Sequence, residues 1–480
     1  MSTYLFYDIE TTGLNYAFDQ VLQFAAIRTD RTFAELERHE IYLRLRPDVV
    51  PSPAAMIAHC LSIDTLMARG VCEYEAIKQI HALLNEPGTI SLGYNTLGFD
   101  DEFLRFSFHR NLLPPYTHQY ARDCGRMDLL PMAIMYWLFR KETLNWPEID
   151  ERVSLKLEHL KEANQLSSGS AHDALVDVQA SVELARRMAQ DEKMWDYLAD
   201  YFKKGSDRYR LQKLPPLSEK LHPGTQFGLL INIDYGAERN YLVPVLFLGY
   251  SEPYRNQSLW LRLDRPEIQE TTLQNIAAKT WLIRKKHGEP GIVLPPFERF
   301  LARLDGERMA LLEQNKQWLQ SHPELLQAIA QFYRQFKYPE IADVDVDAAL
   351  YQMDFLTDAE QRQCARFHTL GRAGQIQEAE KFERPELREL ARRLFFRNDA
   401  SDLPQAWKKK LDAFLYKVNP VFKEEALMDY RGRKRRVPLE VAAEIRRLQS
   451  QNNLSPRQEA VLQELQSYLQ ERFGVRAQEG

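Results

Sequence analysis

The segment STYLFYDIETTGLN places two carboxylates inside a short apolar run. The aromatic and aliphatic residues around them favour a buried, pleated strand. Because residues two apart on a strand point to the same face, Asp8 and Glu10 share one face and Ile9 points to the other. Two unpaired acids buried in this way would be strongly destabilising. We therefore expect a cation, and first of all a divalent metal ion, beside this strand.

Length and composition favour a protein of several domains. The chain has 480 residues, of which 44% are hydrophobic and 27% charged, and its net charge is −5. This charge restricts any nucleic-acid site to a local basic surface. The four cysteines form no CxxC pair, which argues against a zinc site or a disulfide framework. We expect a cytoplasmic protein without membrane association, because the sequence shows neither a signal-peptide pattern nor a long apolar run.

The hydrophobic pattern divides the chain into three regions. The first alternates strands and helices and begins with an antiparallel three-stranded meander. In the second, short β-rich runs separated by Pro and Gly predict a small β-barrel with added helices. The third is helical and charged up to the C-terminus. We place these domains at residues 1–192, 193–342 and 343–480.

Two further acidic motifs follow the first one along the chain. In GYNTLGFDDEFLRF a strand ends near Asn95, and a helix starts at Asp100 after a glycine-containing turn. In SGSAHDALVDVQAS a helix begins near Ala171, with His172 at its mouth and Asp177 about one and a half turns inside. Taken singly, Asp100 is explained as a helix cap and His172 as a surface residue. Asp177 is harder to explain in this way, because the helix around it is apolar.

Taken in this order, the three motifs resemble those of the DnaQ-like 3′→5′ exonucleases, which have an α/β ribonuclease H-like fold. The stretches FYDIETTGL, GYNTLGFDDEF and AHDALVDV carry the resemblance. The His five residues before the last Asp is typical of the His-containing subclass. The resemblance implies that Asp8, Glu10, Asp100 and Asp177 are metal ligands and that His172 is the general base. All five are then catalytic residues.

The resemblance also implies the cofactor and the nucleotide contacts. Two Mg²⁺ ions, for which Mn²⁺ should substitute, would offset the charge of the four carboxylates. An imidazole suits the base, because its ordinary pKa of about 6.5 leaves it neutral at the pH of the cytoplasm. The adjacent acids Asp101 and Asp173 are not ligands in this pattern. Four residues are expected to contact the nucleotide: Glu10, Thr11, Thr12 and His59.

Beyond the motifs, the chain resembles the bacterial exonuclease I family, whose members degrade single-stranded DNA. Matching stretches include QFAAIRTD, RMDLL, LNWPE, LEHLKEAN, DVDAALY and FFRN. In that family a Src-homology-3-like β-barrel and an all-α C-terminal domain follow the exonuclease domain, in agreement with the hydrophobic pattern. The resemblance further implies a monomer that binds the C-terminal tail of single-stranded-DNA-binding protein through Arg140 and Tyr197.

Three interpretations of function follow. The first is a metal-dependent 3′→5′ exodeoxyribonuclease that acts on single-stranded DNA in DNA repair and recombination and releases nucleoside 5′-monophosphates. The second is an exoribonuclease of the same superfamily, because nothing in the motifs reads the 2′-hydroxyl. The third is a non-catalytic single-stranded-DNA-binding scaffold, against which the five filled catalytic positions argue. Three basic clusters could meet phosphates: residues 284–286, 408–410 and 431–436.

Overall fold

A computed structural model of the chain describes residues 2–167, 174–218, 225–401, 403–451 and 453–475. Along the chain, a mixed sheet with helices is followed by a second sheet and then by a helical C-terminal region. This is the order of structural types that the hydrophobic pattern predicts. Within the described ranges, none of the helices is both long and apolar enough to cross a membrane.

The first sheet has the acidic strand at its centre. Its strands are β1 (Thr3–Thr11), β2 (Val21–Thr29), β3 (Glu35–Tyr42), β4 (Thr89–Leu92) and β5 (Gly125–Arg126). They are ordered β3-β2-β1-β4-β5, with β1 antiparallel to β2 and parallel to β4. The first three strands form the predicted meander. A separate hairpin pairs β6 (Glu148–Ile149) with β7 (Arg152–Val153).

Helices cover both faces of the first sheet. They are α1 (Pro53–His59), α2 (Ile63–Arg69), α3 (Glu73–Leu84), α4 (Asp100–Arg110), α5 (Leu129–Phe139), α6 (Leu157–Asn164), α7 (Ala174–Met188), α8 (Glu192–Ala199) and α9 (Lys204–Gln212). Leu5 and Tyr7 of β1 pack in one core with residues of α3 and α4, whereas Phe6 packs in another with residues of α5 and α7. Because side chains alternate along a strand, Asp8 and Glu10 continue the Phe6 face, toward α7.

The second region is built on a five-stranded antiparallel sheet. Its strands are β8 (Phe227–Ile231), β9 (Leu242–Tyr250), β10 (Gln257–Arg262), β11 (Leu282–Lys286) and β12 (Ile292–Leu294). They are ordered β11-β10-β9-β8-β12. The helices of this region are α10 (Ile276–Lys279), α11 (Glu298–Leu301), α12 (Gly306–Ser321) and α13 (Pro323–Arg334). Of these helices, α13 packs against β9.

The C-terminal region is helical, as predicted. Its helices are α14 (Asp358–Thr369), α15 (Arg372–Ala379), α16 (Pro385–Asn398), α17 (Gln405–Val418), α18 (Pro438–Ser450) and α19 (Pro456–Phe473). Helices α18 and α19 pack against α1, and α19 also packs against α2. Helix α16 packs against α3. The C-terminal region is therefore packed against α1, α2 and α3 of the first region.

Buried ion pairs cross this contact between the first and the C-terminal region. We call them the interface network, whose members are Arg46, Asp48, Glu73, Arg110, Asp347, Arg393, Arg397 and Arg435. Each member exposes 6% or less of its surface. Arg397 Nη2 lies 3.0 Å from Asp48 Oδ2 of the first region, and the same guanidinium pairs with Asp347. Removal of one member would leave buried charge without compensation.

We expect the interface network to lose its stabilising effect in acid. Burial raises the pKa values of its carboxyls, but the surrounding arginines outweigh burial. They hold the pKa values of Asp48 and Asp347 well below the usual range and lower that of Glu73 to about 2. Such carboxyls stabilise fully above their unfolded pKa of about 4, and the stabilisation is lost as the pH falls. The Tm measured by thermal unfolding should therefore drop below about pH 4; a constant Tm would contradict this.

Candidate active site

Strand β1 presents two carboxylates on one face near its C-terminal end. Asp8 and Glu10 are both half-buried, whereas Ile9 between them is buried in the opposite core. The pairing register with β2 shifts at the step from Glu10 to Thr11. Such an irregularity bends a strand and ends regular pairing. Regular pairing is therefore interrupted directly after the second acid.

A hydrogen bond brings a third carboxylate to the same strand. The backbone N–H of Ile9 donates to Asp100 Oδ1 over 3.1 Å. Asp100 is the first residue of α4 and is buried. Its carboxylate thus lies against the peptide between Asp8 and Glu10, although 91 residues separate Asp100 from Ile9 in the sequence.

The turn before Asp100 is held by an acid that the sequence motifs do not include. Asp128 accepts hydrogen bonds from the backbone N–H groups of Asn95 at 2.9 Å, Leu97 at 3.1 Å and Leu130 at 3.0 Å. Burial raises the pKa of Asp128 to about 6, against the effect of these three donors. A sequence signal was present, because an Asp before the apolar run LLPMAIM is typical of a helix N-cap.

The fourth acid comes from α7, which packs against β1 and β2. Asp177 lies in the first turn of α7 and is half-buried. Asp177 interacts electrostatically with Asp8 of β1. Burial, followed by the charge of Asp177, raises the pKa of Asp8 to about 8. From α6, Lys161 Nζ approaches to 3.5 Å from Asp177 Oδ1. The structure thus brings Asp8, Asp100 and Asp177 within electrostatic reach of one another.

The electrostatics of this site favour a bound cation. Burial, followed by the charge of Asp8, raises the pKa of Asp100 well above its ordinary value. The pKa of Asp8 moves in the same direction. Like charges in a partly desolvated site disfavour ionisation, and a nearby cation reverses this preference. Ionised carboxylates are in turn what a divalent metal ion requires.

The donor set fits a hard divalent cation. Asp8, Glu10, Asp100 and Asp177 offer only oxygen donors, which Mg²⁺ and Mn²⁺ prefer. Within the described residues, however, no three His, Cys, Asp or Glu side chains converge closely enough to enclose an ion. A divalent ion would therefore have to draw these side chains closer together.

Two predicted features of the third motif fall outside the described residues. His172 lies in the range 168–173, which the structure does not describe, and so does Asp173. The general base therefore stays a prediction from the sequence. The described part of the motif helix begins at Ala174.

The acid next to Asp100 has a different environment. Asp101 pairs with Arg105 at 2.5 Å, with Arg126 at 2.6 Å and with His118 at 2.8 Å. Burial raises the pKa of Asp101, but the two arginines outweigh it and hold that pKa well below its usual range. Because its charge is already compensated, Asp101 anchors α4 and leaves Asp100 as the acid that faces β1.

The residues predicted to contact the nucleotide surround the end of β1. Thr12 is buried, and its hydroxyl donates to Asp19 Oδ1 at 3.1 Å and accepts from a backbone N–H. The backbone N–H of Leu61 donates to His59 Nδ1 at 3.0 Å. His59 Nε2 is therefore the protonated nitrogen, and it donates to the carbonyl of Thr11 at 3.3 Å. These polar groups fix the backbone that follows the two β1 acids.

A turn of the C-terminal region contacts the loop that follows β1. Asn15 Nδ2 donates to Asp429 Oδ2 at 2.9 Å, and the Arg431 guanidinium lies 5.2 Å from the centre of the Tyr16 ring. The Tyr16 hydroxyl donates to the carbonyl of Gly98 at 3.0 Å, in the turn before α4. The C-terminal region therefore supports two of the three segments that carry acids to the site, β1 and α4.

The two residues predicted to bind a partner tail both lie next to α8. Arg140 Nε donates to Asp191 Oδ2 at 2.7 Å, and Asp191 caps the N-terminus of α8. Tyr197 lies in α8, is 39% exposed, and lines a surface cavity of about 570 Å³ together with Arg210. Both side chains are accessible, with Arg140 at the start of α8 and Tyr197 within it.

The basic clusters singled out in the sequence are not uniformly exposed. Lys285 is buried and pairs with Asp207 at 2.7 Å. Arg435 is buried in the interface network. Residues 408–410 are exposed on α17. The first and third clusters thus contain residues that stabilise the fold.

Known proteins resemble part of this chain in sequence. Residues 5–185, which include the four acids, match the family model described as Exonuclease. The exodeoxyribonuclease I of Escherichia coli strain K12 is 36% identical over 233 residues, which are 47% of this chain and 48% of that protein. The exodeoxyribonuclease I of Haemophilus influenzae is 32% identical over 214 residues, 44% of this chain and 45% of that protein. The chain spans about half the length of the curated relatives it matches.

Solved structures match nearly the whole chain. E. coli exonuclease I in complex with a dA16 oligonucleotide has a TM-score of 0.82 at 24% identity, covering 98% of this chain and 100% of that one. An apo exonuclease I has a TM-score of 0.80 at the same identity, covering 98% and 99%. Together with the family match over residues 5–185, this likeness confirms the predicted fold class: a ribonuclease H-like exonuclease domain, a curled β-sheet and a helical C-terminal region. The predicted resemblance is thereby confirmed.

Proposed function

We propose, with the exonuclease domain of residues 5–185 as the premise, that this protein degrades single-stranded DNA from the 3′ end and releases nucleoside 5′-monophosphates. The observation that carries the proposal is the hydrogen bond from Ile9 to Asp100, which joins the α4 acid to the acidic face of β1. Curated relatives named exodeoxyribonuclease I, and a solved relative that holds a dA16 oligonucleotide, support DNA as the substrate. The proposed role is in DNA repair and recombination.

The proposed chemistry needs the four acids as metal ligands and His172 as the base. Two divalent ions, when bound, supply the positive charge that the carboxylates and the scissile phosphate require. Mg²⁺ is the proposed ion, with Mn²⁺ as a substitute. The neutral imidazole of His172 accepts the proton of the attacking water, a role whose loss commonly lowers the rate by about 10²- to 10⁴-fold. Asp128 accepts hydrogen bonds from the turn before α4 and so holds Asp100 next to β1.

The proposed nucleotide contacts are Glu10, Thr11, Thr12 and His59. The hydroxyl of Thr12 and the ring of His59 are engaged within the fold. Their proposed contribution is therefore to hold the backbone beside the terminal nucleotide in one position.

A labelling experiment tests the proposed function. Single-stranded DNA and RNA, each labelled at the 3′ or the 5′ end, are incubated with the protein in Mg²⁺ or in EDTA. We expect Mg²⁺-dependent loss of the 3′ label from DNA, with nucleoside 5′-monophosphates as product. Faster loss of the 3′ label from RNA would favour an exoribonuclease. Binding of DNA without cleavage would favour a non-catalytic scaffold.

The proposed partner is single-stranded-DNA-binding protein. We propose that this chain binds it as a monomer in the cytoplasm. A solved structure of SSB/exonuclease I supports this class of partner. The Arg140→Ala variant should bind a labelled tail peptide about tenfold more weakly in fluorescence anisotropy, because an exposed guanidinium is a strong carboxylate ligand. Arg152→Ala removes another exposed arginine and should leave the affinity unchanged. Equal affinities of the two variants would remove Arg140 from the proposal.

An aromatic surface of the second region should add to DNA binding. The Arg284 guanidinium lies 4.6 Å from the ring centre of Phe336 and 5.6 Å from that of Tyr338, which is 51% exposed. On the same strand, Lys286 Nζ lies 4.0 Å from Glu102 Oε1 in the first turn of α4. Exposed rings next to cations stack on unpaired bases, at about 1–3 kcal/mol per base. Tyr338→Ala should therefore weaken single-stranded DNA binding about tenfold.

The affinity is measured with metal-free protein, so that cleavage does not interfere. Phe297→Ala is the matched control, because Phe297 is 55% exposed but belongs to a different aromatic group, with Phe300. We expect the control to bind DNA as the unmodified protein does. A Tyr338→Ala variant with unchanged affinity would show that the surface around Arg284 does not contact DNA.

A further inference from the structure

We infer that the Lys161 ammonium is a resident cation of the active site, which holds Asp177 in the metal-free protein and lowers the affinity of the site for a divalent ion. Lys161 lies in the stretch LEHLKEAN and is not a member of the three acidic motifs. The inference rests on the proposed function, because it takes Asp177 as a metal ligand. Lys161 is in this view a positioning residue, since it acts through Asp177.

The position of the ammonium is the first support. Lys161 exposes 8% of its surface, and its Nζ lies 3.5 Å from Asp177 Oδ1. Among the described residues, none forms a hydrogen bond of acceptable geometry with this Nζ. A buried ammonium without a hydrogen bond is destabilising unless negative charge nearby offsets its lost hydration. The acidic site supplies that charge.

The backbone that carries Lys161 is fixed beside α7. Lys161 lies in the second half of α6, which packs against α7. Helix α6 ends at Gln165, which has a φ of 52°, and the backbone N–H of Leu166 donates to the Lys161 carbonyl at 3.0 Å. The backbone of Lys161 is therefore held next to the helix that carries Asp177, and burial of the side chain restricts the ammonium.

The charge of Lys161 should lower the affinity of the site for a divalent ion. Asp177 lies in the first turn of α7, which packs against β1, so its charge adds to the negative charge of the site. Lys161 offsets part of that repulsion before any metal ion binds. A divalent ion that approaches Asp177 then meets a like charge at short range, which is enough to weaken binding roughly tenfold.

Calorimetric titration of metal-free, full-length protein with Mn²⁺ tests the inference, together with its thermal unfolding at neutral pH. Lys161→Met removes the charge and keeps most of the side-chain length. We expect Kd for Mn²⁺ to fall roughly tenfold, the Tm of the metal-free protein to fall, and the rise in Tm on adding Mn²⁺ to grow. Lys161→Arg keeps the charge and should bind Mn²⁺ as the unmodified protein does.

Lys156→Met is the matched control. Lys156 Nζ also lies 3.5 Å from a carboxylate oxygen, that of Glu158, but its side chain is 72% exposed. An exposed pair of this kind contributes little, so Kd and Tm should stay unchanged. If Lys161→Met does not fold, Lys161→Gln takes its place with the same expectation.

The possible outcomes separate this inference from the proposed function. If the unmodified protein binds Mn²⁺ and the Lys161→Met variant has the same Kd, the inference is overturned and the proposed function stands. If the unmodified protein neither binds Mn²⁺ nor cleaves DNA, the metal site itself is overturned.

Discussion

The Asp100→Asn variant should hydrolyse single-stranded DNA at least about a thousandfold more slowly than the unmodified protein, without loss of stability. The asparagine keeps an oxygen that can accept the hydrogen bond from Ile9, now 3.1 Å long, but it removes the charge that a metal ion needs. The pKa of Asp100 is raised by burial and by Asp8. An acid with a raised folded pKa lowers stability as the pH rises above its unfolded pKa. At neutral pH the metal-free variant should therefore be at least as stable as the unmodified protein.

The neighbouring Asp101→Asn variant provides the matched control. It should lose stability and keep most of its rate of hydrolysis. Asp101 compensates the buried guanidiniums of Arg105 and Arg126, and loss of one partner of a buried pair costs about 3–5 kcal/mol. Rates with 3′-labelled DNA in Mg²⁺ and Tm values in EDTA distinguish the two variants. Substantial hydrolysis by Asp100→Asn would mean that the metal site has been assigned wrongly.

Arg397→Met should lower the free energy of unfolding by about 3–5 kcal/mol at neutral pH. Its guanidinium lies 3.0 Å from Asp48 in the first region and also pairs with Asp347 in the C-terminal region. The variant would leave two buried carboxylates short of positive charge. Their pKa values, now held down by arginines, would move upward. Denaturant unfolding measures the loss, and the acid dependence of Tm should become weaker in the same variant.

Arg366→Met is the control for this prediction. Arg366 Nη2 lies 4.0 Å from Glu378, and the arginine side chain is 65% exposed. Exposed pairs contribute about 0–1 kcal/mol, so this variant should unfold almost as the unmodified protein does. Equal, small losses in both arginine variants would mean that the interface network contributes little to the contact between the regions.

Much of the architecture and the acidic residues followed from local patterns. The alternation in β1 places Asp8 and Glu10 on one face, and the structure keeps that face. The glycine-containing turn predicts a helix that starts at Asp100, and α4 begins at that residue. Such signals arise within a few residues, where strand periodicity and helix capping determine the conformation.

Other features depend on partners that are distant in the sequence. Arg46 and Glu73 are of residue types that are usually exposed, yet both are buried and pair with each other. Arg397 of the C-terminal region lies close enough to help lower the pKa of Glu73. Lys285 was interpreted as part of a phosphate-binding surface, but Asp207 holds it inside. Charged residues are buried only when partners compensate them, and a single sequence does not reveal which segments will meet.

The loop after β1 depends on the C-terminal region, because Asn15 contacts Asp429 and Tyr16 contacts Arg431. Residues 5–185 alone would lack the partners of this loop, which come from a segment more than 400 positions later in the chain. A protein truncated before Asp429 would lose both contacts. During synthesis, the loop beside the acidic site can therefore reach its final contacts only after the segment with Asp429 and Arg431 has been made.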